Sequence, residues 1–208
     1  MNSIIYKSLE LFIIFILIPT SFAISYSPWL KFGIGVFGFI YVIYILLKVE
    51  NLNFKISKYL NWKSFWKSTA VKLVLIAILT TLFVWFTDRE SLFIVMLNKP
   101  IKWFAILFFY SFFSVYPQEL IYRTFYFKRY NNLFKSEWLF IFVNAILFAL
   151  AHLFFGSVLV LILTFLGGLL FSFTYKNTQS TLLVSIEHAI YGCWLFTVGM
   201  GEMLGFPI

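Results

Sequence analysis

Three short groups of polar residues interrupt the apolar C-terminal half of this 208-residue chain, and each contains side chains that can do acid–base chemistry. The first group runs from Pro117 to Arg123 and includes Gln118 and Glu119. Glu119 and Arg123 are four residues apart, so on a helix they share one face and can pair. Taken alone, this pattern is equally consistent with a buried ion pair that neutralises itself.

The second group consists of Asn144, Phe148 and His152, which are spaced by four residues and therefore lie on one stripe of a helix. A single histidine in an apolar helix is more often a satisfied core residue than a functional one. His152 alone therefore does not distinguish a functional histidine from a core residue.

The third group contains Glu187 and His188, side by side in another apolar run. An ionisable residue costs at least about 2.5–3.5 kcal/mol to insert into the centre of a bilayer. Two such neighbours are therefore hard to explain by packing alone. The chain has two histidines, His152 and His188, and both lie in apolar runs.

Glu119, His152 and His188 together supply a carboxylate and two imidazoles, which in a dry cavity can activate a water molecule by general-base catalysis. Arg123 or a neutral imidazole can stabilise the resulting oxyanion. Glu119, His152 and His188 also form a known type of zinc ligand set, although the HExxH helix motif is absent. The residue types therefore indicate hydrolysis, with a divalent metal such as zinc as an open alternative.

The composition indicates where such a site would lie. Hydrophobic residues make up 62% of the chain and charged residues 12%, and the mean hydropathy is +0.94. Soluble domains carry about 25% charged residues, so the composition excludes a soluble globular domain and a disordered tail. The single Cys193 excludes an internal disulfide. The apolar runs are long and continuous, which excludes the alternating pattern of a membrane barrel.

The sequence therefore predicts an all-α, polytopic membrane bundle. Seven transmembrane helices are predicted near residues 9–25, 29–47, 69–87, 103–130, 138–155, 157–175 and 180–200. Glycines at 33, 35 and 38 and the pair Gly167-Gly168 are expected to let helices pack closely within the chain, with dimerisation through them as the alternative. No internal repeat is visible in the sequence.

Lysine and arginine residues predict the orientation, because they concentrate in cytoplasmic loops. Twelve of the 16 lysine and arginine residues fall in loops and span ends on the same side of the membrane as the N-terminus. We therefore expect a cytoplasmic N-terminus and an outside C-terminus. The same rule explains the net charge of +8, so nucleic acid is not an expected partner. Residues 50–69 are basic and aromatic, which predicts a segment on the cytoplasmic membrane surface. A partner-binding site is the alternative for this segment.

The start of the chain allows a second interpretation. Lys7, the apolar run that follows it and the sequence Ser21-Phe22-Ala23 are similar to a signal peptide with its cleavage site. Glu10, beside the apolar run, argues against cleavage. The remaining topology is the same in both cases.

Depth along the helices predicts that the three polar groups meet. At about 1.5 Å per residue, Glu119 and His188 lie at similar distances from the cytoplasmic face, and His152 lies about one turn deeper. We therefore expect Glu119, His152 and His188 to face one cavity.

These residues resemble a known family. Its signature is an acidic pair with an arginine four residues after the second acid, then FxxxH, then HxxxN. The corresponding segments are Gln118-Glu119 to Arg123, Phe148 to His152, and His188 to Gly192, within residues of about 105–200. This pattern is similar to that of the CPBP family, the CAAX prenyl endopeptidases and bacteriocin-processing enzymes.

The resemblance implies an intramembrane protease with a catalytic Glu, a water-activating His, and a second His and Asn that stabilise the oxyanion. Both a metalloprotease and a metal-free glutamate mechanism are proposed for this family. The implied partners are membrane lipid and a peptide or protein substrate, which can be lipidated. We accordingly expect residues 1–100 to form a transmembrane scaffold and residues 101–208 to form the protease core.

Two positions depart from the family pattern. Gln118 replaces the first acid, and a neutral amide cannot act as a general base. Gly192 replaces the final Asn. We expect Glu119 to take the role of the base, with Glu187 or Asn144 helping to line the pocket.

Two other functions remain open. The first is a non-proteolytic family member that serves as a binding or bacteriocin-immunity-type scaffold. The second is a proton-coupled transporter, which would also use intramembrane Glu and His.

Overall fold

The computed structural model describes residues 3–52 and 61–202. Within these ranges, seven helices are long and apolar enough to cross a membrane, which confirms the predicted all-α polytopic bundle. They are α1 (Ile4–Phe22), α2 (Pro28–Lys48), α3 (Trp62–Thr87), α4 (Pro100–Leu133), α5 (Glu137–Phe155), α6 (Val158–Thr178) and α7 (Thr181–Val198). The chain is a multi-pass integral membrane protein.

Short connections join the last helices, and a serine begins each helix. The Ser136, Ser157 and Ser180 hydroxyls accept hydrogen bonds from backbone N–H groups in the first turns of α5, α6 and α7. Such N-caps satisfy donors that lack a partner within the helix. With these caps, each helix can begin directly after a short connection that reverses the direction of the chain. Consecutive helices among α5, α6 and α7 therefore run antiparallel.

Helix α4 is irregular around Pro117. Two π-helical segments, Tyr110–Val115 and Leu120–Phe125, flank the short α-helical stretch Tyr116–Glu119. Proline has no N–H to donate to the carbonyl four residues earlier, so a regular helix cannot continue through it. The widened turns accommodate this loss and change the direction in which the following side chains point. Pro117 thus affects the placement of the polar group that follows it.

The hydrophobic core crosses the predicted boundary between scaffold and protease core. Phe15 of α1 is fully buried, and its ring packs edge to face against Tyr122 and Tyr126 of α4. Ile45 and Leu46 of α2 belong to the same cluster. The first two helices therefore support α4 directly, while the division at residue 100 stays a prediction.

An ionic cluster also fastens α1 to α4. The fully buried guanidinium of Arg129 donates to Glu10 Oε2 at 2.7 Å and to Glu50 Oε1 at 2.9 Å. The Tyr130 hydroxyl donates to Glu10 Oε2 at 3.1 Å. Glu10 is buried, so the charge beside the first apolar run has a structural partner.

The predicted surface segment 50–69 is only partly described. Residues 53–60 lie outside the described residues, and α3 begins at Trp62. Positions 62–69 therefore form the first turns of α3 rather than a separate segment. The side chains of Trp62 and Trp66 are about half exposed.

The glycines behave in two ways. A Cβ on Gly168 would lie 2.9 Å from Ala145 Cα, so α5 and α6 approach closely at this point, as predicted. A Cβ on Gly33, Gly35 or Gly38 would meet no atom within 4 Å. The expectation of close packing within the chain is therefore wrong for these three, because this face of α2 has no described neighbour.

Candidate active site

Glu119 lies at the centre of a buried hydrogen-bonded cluster between α4 and α7. Its side chain has no exposed surface. Oε1 lies 2.7 Å from His188 Nδ1, and Oε2 lies 3.3 Å from Arg123 Nε. This ion pair is the one that the i, i+4 spacing predicts. Glu119 therefore joins an imidazole to a guanidinium.

Asn144 holds the guanidinium in place. Arg123 is fully buried and donates through Nη1 to Asn144 Oδ1 at 2.6 Å. Asn144 Nδ2 donates to the Tyr122 carbonyl at 2.7 Å, and the Ser172 hydroxyl donates to Asn144 Oδ1 at 2.8 Å. The amide thus supports Arg123 from behind, as a residue of the predicted supporting set.

The ring of Phe148 brings the predicted residues together. The Arg123 guanidinium carbon lies 4.7 Å from its centroid. The ring centroids of His152 and His188 lie 4.9 Å and 5.8 Å from the same point. Phe171 stacks on His188 from another side, at 4.3 Å. One cluster consequently contains Arg123, His152 and His188, together with Glu119, which contacts His188 and Arg123.

His152 has a defined hydrogen-bonding state. The regular helix ends at Leu150, and His152 lies in the turn that follows. Its Nδ1 lies 2.8 Å from the carbonyl oxygen of Phe148. A carbonyl oxygen can only accept, so Nδ1 carries the proton and donates. In the neutral ring, the lone pair then lies on Nε2, where it can accept a proton.

Tyr110 is a member of the cluster that the sequence analysis did not identify. Its hydroxyl lies 3.1 Å from His188 Nε2. Nothing distinguishes this residue in the sequence, because it is one of 12 tyrosines and lies in an aromatic apolar run. The glycine at position 192 was the indirect signal, since a Cβ there would overlap the Tyr110 hydroxyl and ring.

Buried polar atoms without a hydrogen-bond partner concentrate at this site. Six such side-chain atoms occur among the described residues, and four belong to Gln118, Glu119 and Arg123. Two of the four, Glu119 Oε2 and Arg123 Nε, form the ion pair at 3.3 Å without a hydrogen bond, and Gln118 Oε1 and Arg123 Nη2 have neither. Gln118 donates through Nε2 to Ser114 Oγ at 2.8 Å, while its Oε1 is one of the four. Buried polar groups are normally satisfied, so a local group of exceptions marks a functional-site candidate.

Glu187 belongs to a different cluster. Its Oε1 lies 2.6 Å from Lys72 Nζ of α3 and accepts from the Tyr191 hydroxyl at 2.8 Å. The structure therefore does not bring this predicted supporting residue to Glu119. Adjacent helical positions point about 100° apart, which explains why Glu187 and His188 face different neighbours. Lys72, a charge within an apolar run, was the signal for this pairing.

The donor arrangement does not fit a metal ion held by Glu119, His152 and His188. Among residues 3–52 and 61–202, no group of three His, Cys, Asp or Glu side chains is placed to hold one. Both nitrogens of His188 are already hydrogen-bonded, to Glu119 and Tyr110, and His152 Nδ1 is bonded to Phe148.

Comparison with known proteins supports the resemblance found in the motifs. Residues 100–194 match the family model described as type II CAAX prenyl endopeptidase Rce1-like. No curated protein and no solved structure gives a significant match. The matched region contains every member of the cluster around Phe148. Over residues 100–194, the chain is thus similar to the type II CAAX prenyl endopeptidases, a protease family.

Proposed function

We propose that this protein is an intramembrane endopeptidase that hydrolyses a peptide bond with a water molecule activated at the Glu119, His152 and His188 cluster. The observation that carries the proposal is the Glu119–His188 contact of 2.7 Å beside the unpartnered atoms of Gln118 and Arg123. A buried polar network that is only partly satisfied lowers the stability of the fold. Its presence is therefore better explained by a function than by packing. The similarity to a protease family supports the same reaction class.

In this proposal, His152 is the general base. Its Nε2 carries the lone pair, and the side chain is only partly buried, whereas Glu119 has no exposed surface. The water oxygen bonds to the carbonyl carbon of the substrate, the π pair moves to the carbonyl oxygen, and the water proton passes to Nε2. The intermediate then re-forms its C=O bond and breaks the C–N bond, and the leaving amine takes the proton from His152.

Glu119 takes a different role from the general base expected from the sequence. Its carboxylate accepts from His188 Nδ1–H, which fixes the orientation of the imidazole and leaves the lone pair on Nε2. Arg123 balances its charge in the low-dielectric interior. A carboxylate that orients an imidazole is an established arrangement in hydrolases, and altering it lowers the rate by orders of magnitude.

A second candidate function rests on Gln118. Its amide stands where the family pattern has an acid, and it donates to Ser114 rather than to a histidine. This favours a non-proteolytic family member that binds a membrane peptide without cleaving it. The two functions differ in whether wild type cleaves peptides, and under the second function Gln118→Glu should create a cleavage activity that wild type lacks.

The test is cleavage of a panel of membrane peptides by the purified protein in lipid vesicles. Cleavage by wild type that is lost in Glu119→Gln and His152→Asn supports the endopeptidase. If wild type cleaves nothing and Gln118→Glu creates cleavage, the protein is instead the non-proteolytic member. Cleavage that EDTA abolishes and zinc restores would contradict the metal-free route.

The orientation of the site belongs to the same proposal. The lysine and arginine distribution supports a cytoplasmic N-terminus, which gives the end of α4 near Arg129 a cytoplasmic position. Peptide substrates would then reach the cluster from the cytoplasmic leaflet. Whether they carry a lipid group is a separate variable, so the peptide panel includes matched lipidated and unlipidated members.

A further inference from the structure

The hydrogen bonds of His188 leave its imidazole without a donor for the oxyanion of the proposed reaction. The Glu119 carboxylate accepts a hydrogen bond from Nδ1–H, so Nε2 of the neutral ring carries a lone pair and has no hydrogen to donate. The Arg123 guanidinium contacts Glu119 through Nε and Asn144 through Nη1, and its Nη2 is buried without a hydrogen-bond partner. Because Nη2 is buried, a donor beside His188 is better placed to face the developing negative charge.

The Tyr110 hydroxyl is placed to be this group. It lies 3.1 Å from His188 Nε2, so it donates to the lone pair of the neutral ring. The tyrosine begins the π-helical segment Tyr110–Val115, next to the disruption at Pro117. Its ring packs edge to face on Phe196 of α7, with the centroids 4.8 Å apart. The ring is therefore held between α4 and α7 at a fixed position.

Gly192 makes this position available. It lies one turn beyond His188 on the same face of α7, and a Cβ there would overlap the Tyr110 hydroxyl. The overlap involves the rigid ring near its oxygen, which cannot move away without leaving His188. The missing side chain at position 192 and the tyrosine at position 110 are thus two parts of one arrangement.

We propose that Tyr110 is a catalytic residue whose hydroxyl donates a hydrogen bond to the oxyanion of the tetrahedral intermediate, in a space that Gly192 keeps open. The inference rests on the proposed endopeptidase function. The hydroxyl exchanges its hydrogen bond to His188 Nε2 for one to the oxyanion. Its O–H bond stays intact, so the proton balance at His152 is unchanged.

The test compares Tyr110→Phe with wild type in the peptide cleavage assay. Phenylalanine keeps the ring packing on Phe196 and removes only the hydroxyl. We expect kcat to fall by about 10²–10³-fold, the usual effect of removing one oxyanion donor, with little change in KM. Tyr44→Phe is the matched control, because Tyr44 lies exposed on α2. It should cleave like wild type.

A pair of variants separates chemistry from packing. Tyr110→Ala should lose activity, and Tyr110→Ala with Gly192→Asn should recover part of it, because the amide then occupies the emptied space one turn from His188. Gly192→Asn alone should be inactive, because the side chain and the tyrosine cannot both fit. No recovery in a double variant that folds with the wild-type Tm would argue for a packing role.

A third readout does not depend on cleavage. The chain has two histidines, so ¹⁵N-labelled histidine gives four imidazole signals in NMR spectra, one from Nδ1 and one from Nε2 of each ring. Tyr110→Phe should shift the Nε2 resonance of His188 and leave that of His152 in place. Unchanged resonances would remove the hydrogen bond on which the inference depends.

The outcomes distinguish the inference from the proposed function. If wild type cleaves no peptide, the endopeptidase function fails, and the catalytic role of Tyr110 fails with it. If wild type cleaves and Tyr110→Phe cleaves equally well, only the role of Tyr110 fails.

Discussion

Lys72 Nζ of α3 lies 2.6 Å from Glu187 Oε1 of α7, which forms an ion pair within the transmembrane region. The carboxylate is fully buried, while about a quarter of the lysine side chain is exposed (28%). The Tyr191 hydroxyl also donates to Glu187 Oε1. This cluster joins two helices next to His188 but does not contact Glu119 in the described hydrogen-bond network. The cluster therefore holds α3 against α7 beside the candidate active site without being part of that site.

Removal of the lysine should lower stability more than activity. In Lys72→Met, the buried Glu187 carboxylate loses its cationic partner, so we expect a loss of about 1–3 kcal/mol in unfolding free energy. Partial exposure of the lysine keeps the loss below that of a fully buried pair. Thermal unfolding in detergent measures it. The double variant Lys72→Met with Glu187→Gln should recover part of the loss, and an equal or larger loss would contradict the pairing.

Glu119→Gln should reduce peptide cleavage by at least about a hundredfold. The neutral amide can turn its NH₂ toward His188 Nδ1, which selects the wrong tautomer of the imidazole. Glu187→Gln is the matched control, because it makes the same change at another buried glutamate that contacts neither His188 nor Arg123 through its described bonds. If Glu187→Gln abolishes cleavage while Glu119→Gln leaves it unchanged, the assignment of the site is wrong.

Arg123→Met should be among the most destabilising substitutions in the protein. It leaves the fully buried Glu119 carboxylate without its cation, and loss of one partner of a buried pair costs about 3–5 kcal/mol. Arg123→Met with Glu119→Leu should be more stable than Arg123→Met alone, because no unpaired charge remains. Chemical denaturation in mixed micelles compares the two. A double variant less stable than the single variant would mean that Asn144 and the ring contacts, rather than charge, dominate.

Gly168→Ala should destabilise the packing of α5 on α6. Its Cβ would lie 2.9 Å from the backbone of Ala145, which has no flexible atoms to move aside. Overpacking of this kind costs about 1–3 kcal/mol. Gly38→Ala is the matched control, because its Cβ would meet no atom within 4 Å. The measurement is the difference in Tm, and equal Tm values for both variants would contradict the predicted contact.

Cysteine labelling should place the connection after α4 in the cytoplasm. In a Cys193→Ser background, Asn132→Cys should react with an impermeant reagent only from the cytoplasmic side, and Asn98→Cys, before α4, only from the outside. The reason is the excess of lysine and arginine in the loops on the same side of the membrane as the N-terminus. Labelling of position 132 from the outside would reverse the orientation and with it the proposed route of the substrate.

Much of this fold could be predicted from the sequence, because the controlling forces act locally along the chain. Continuous apolar runs leave a membrane helix as the one way to satisfy the backbone, and the seven helices follow from them. The i, i+4 spacing of Glu119 and Arg123 was sufficient to predict their pairing. The three motifs were also sufficient to find the similarity to a protease family that the comparison supports over residues 100–194.

Only the tertiary structure decided which side chains meet across helices. Nothing in the sequence indicates that Tyr110 reaches His188, because the π-helical turns around Pro117 alter the direction of the α4 side chains. Nor does it show that Glu187 turns to Lys72 while its neighbour His188 turns to Glu119. Such pairings depend on the rotation and depth of packed helices, which local propensity does not determine. The sequence thus determined which chemical groups enter the membrane, and helix packing determined which of them act together.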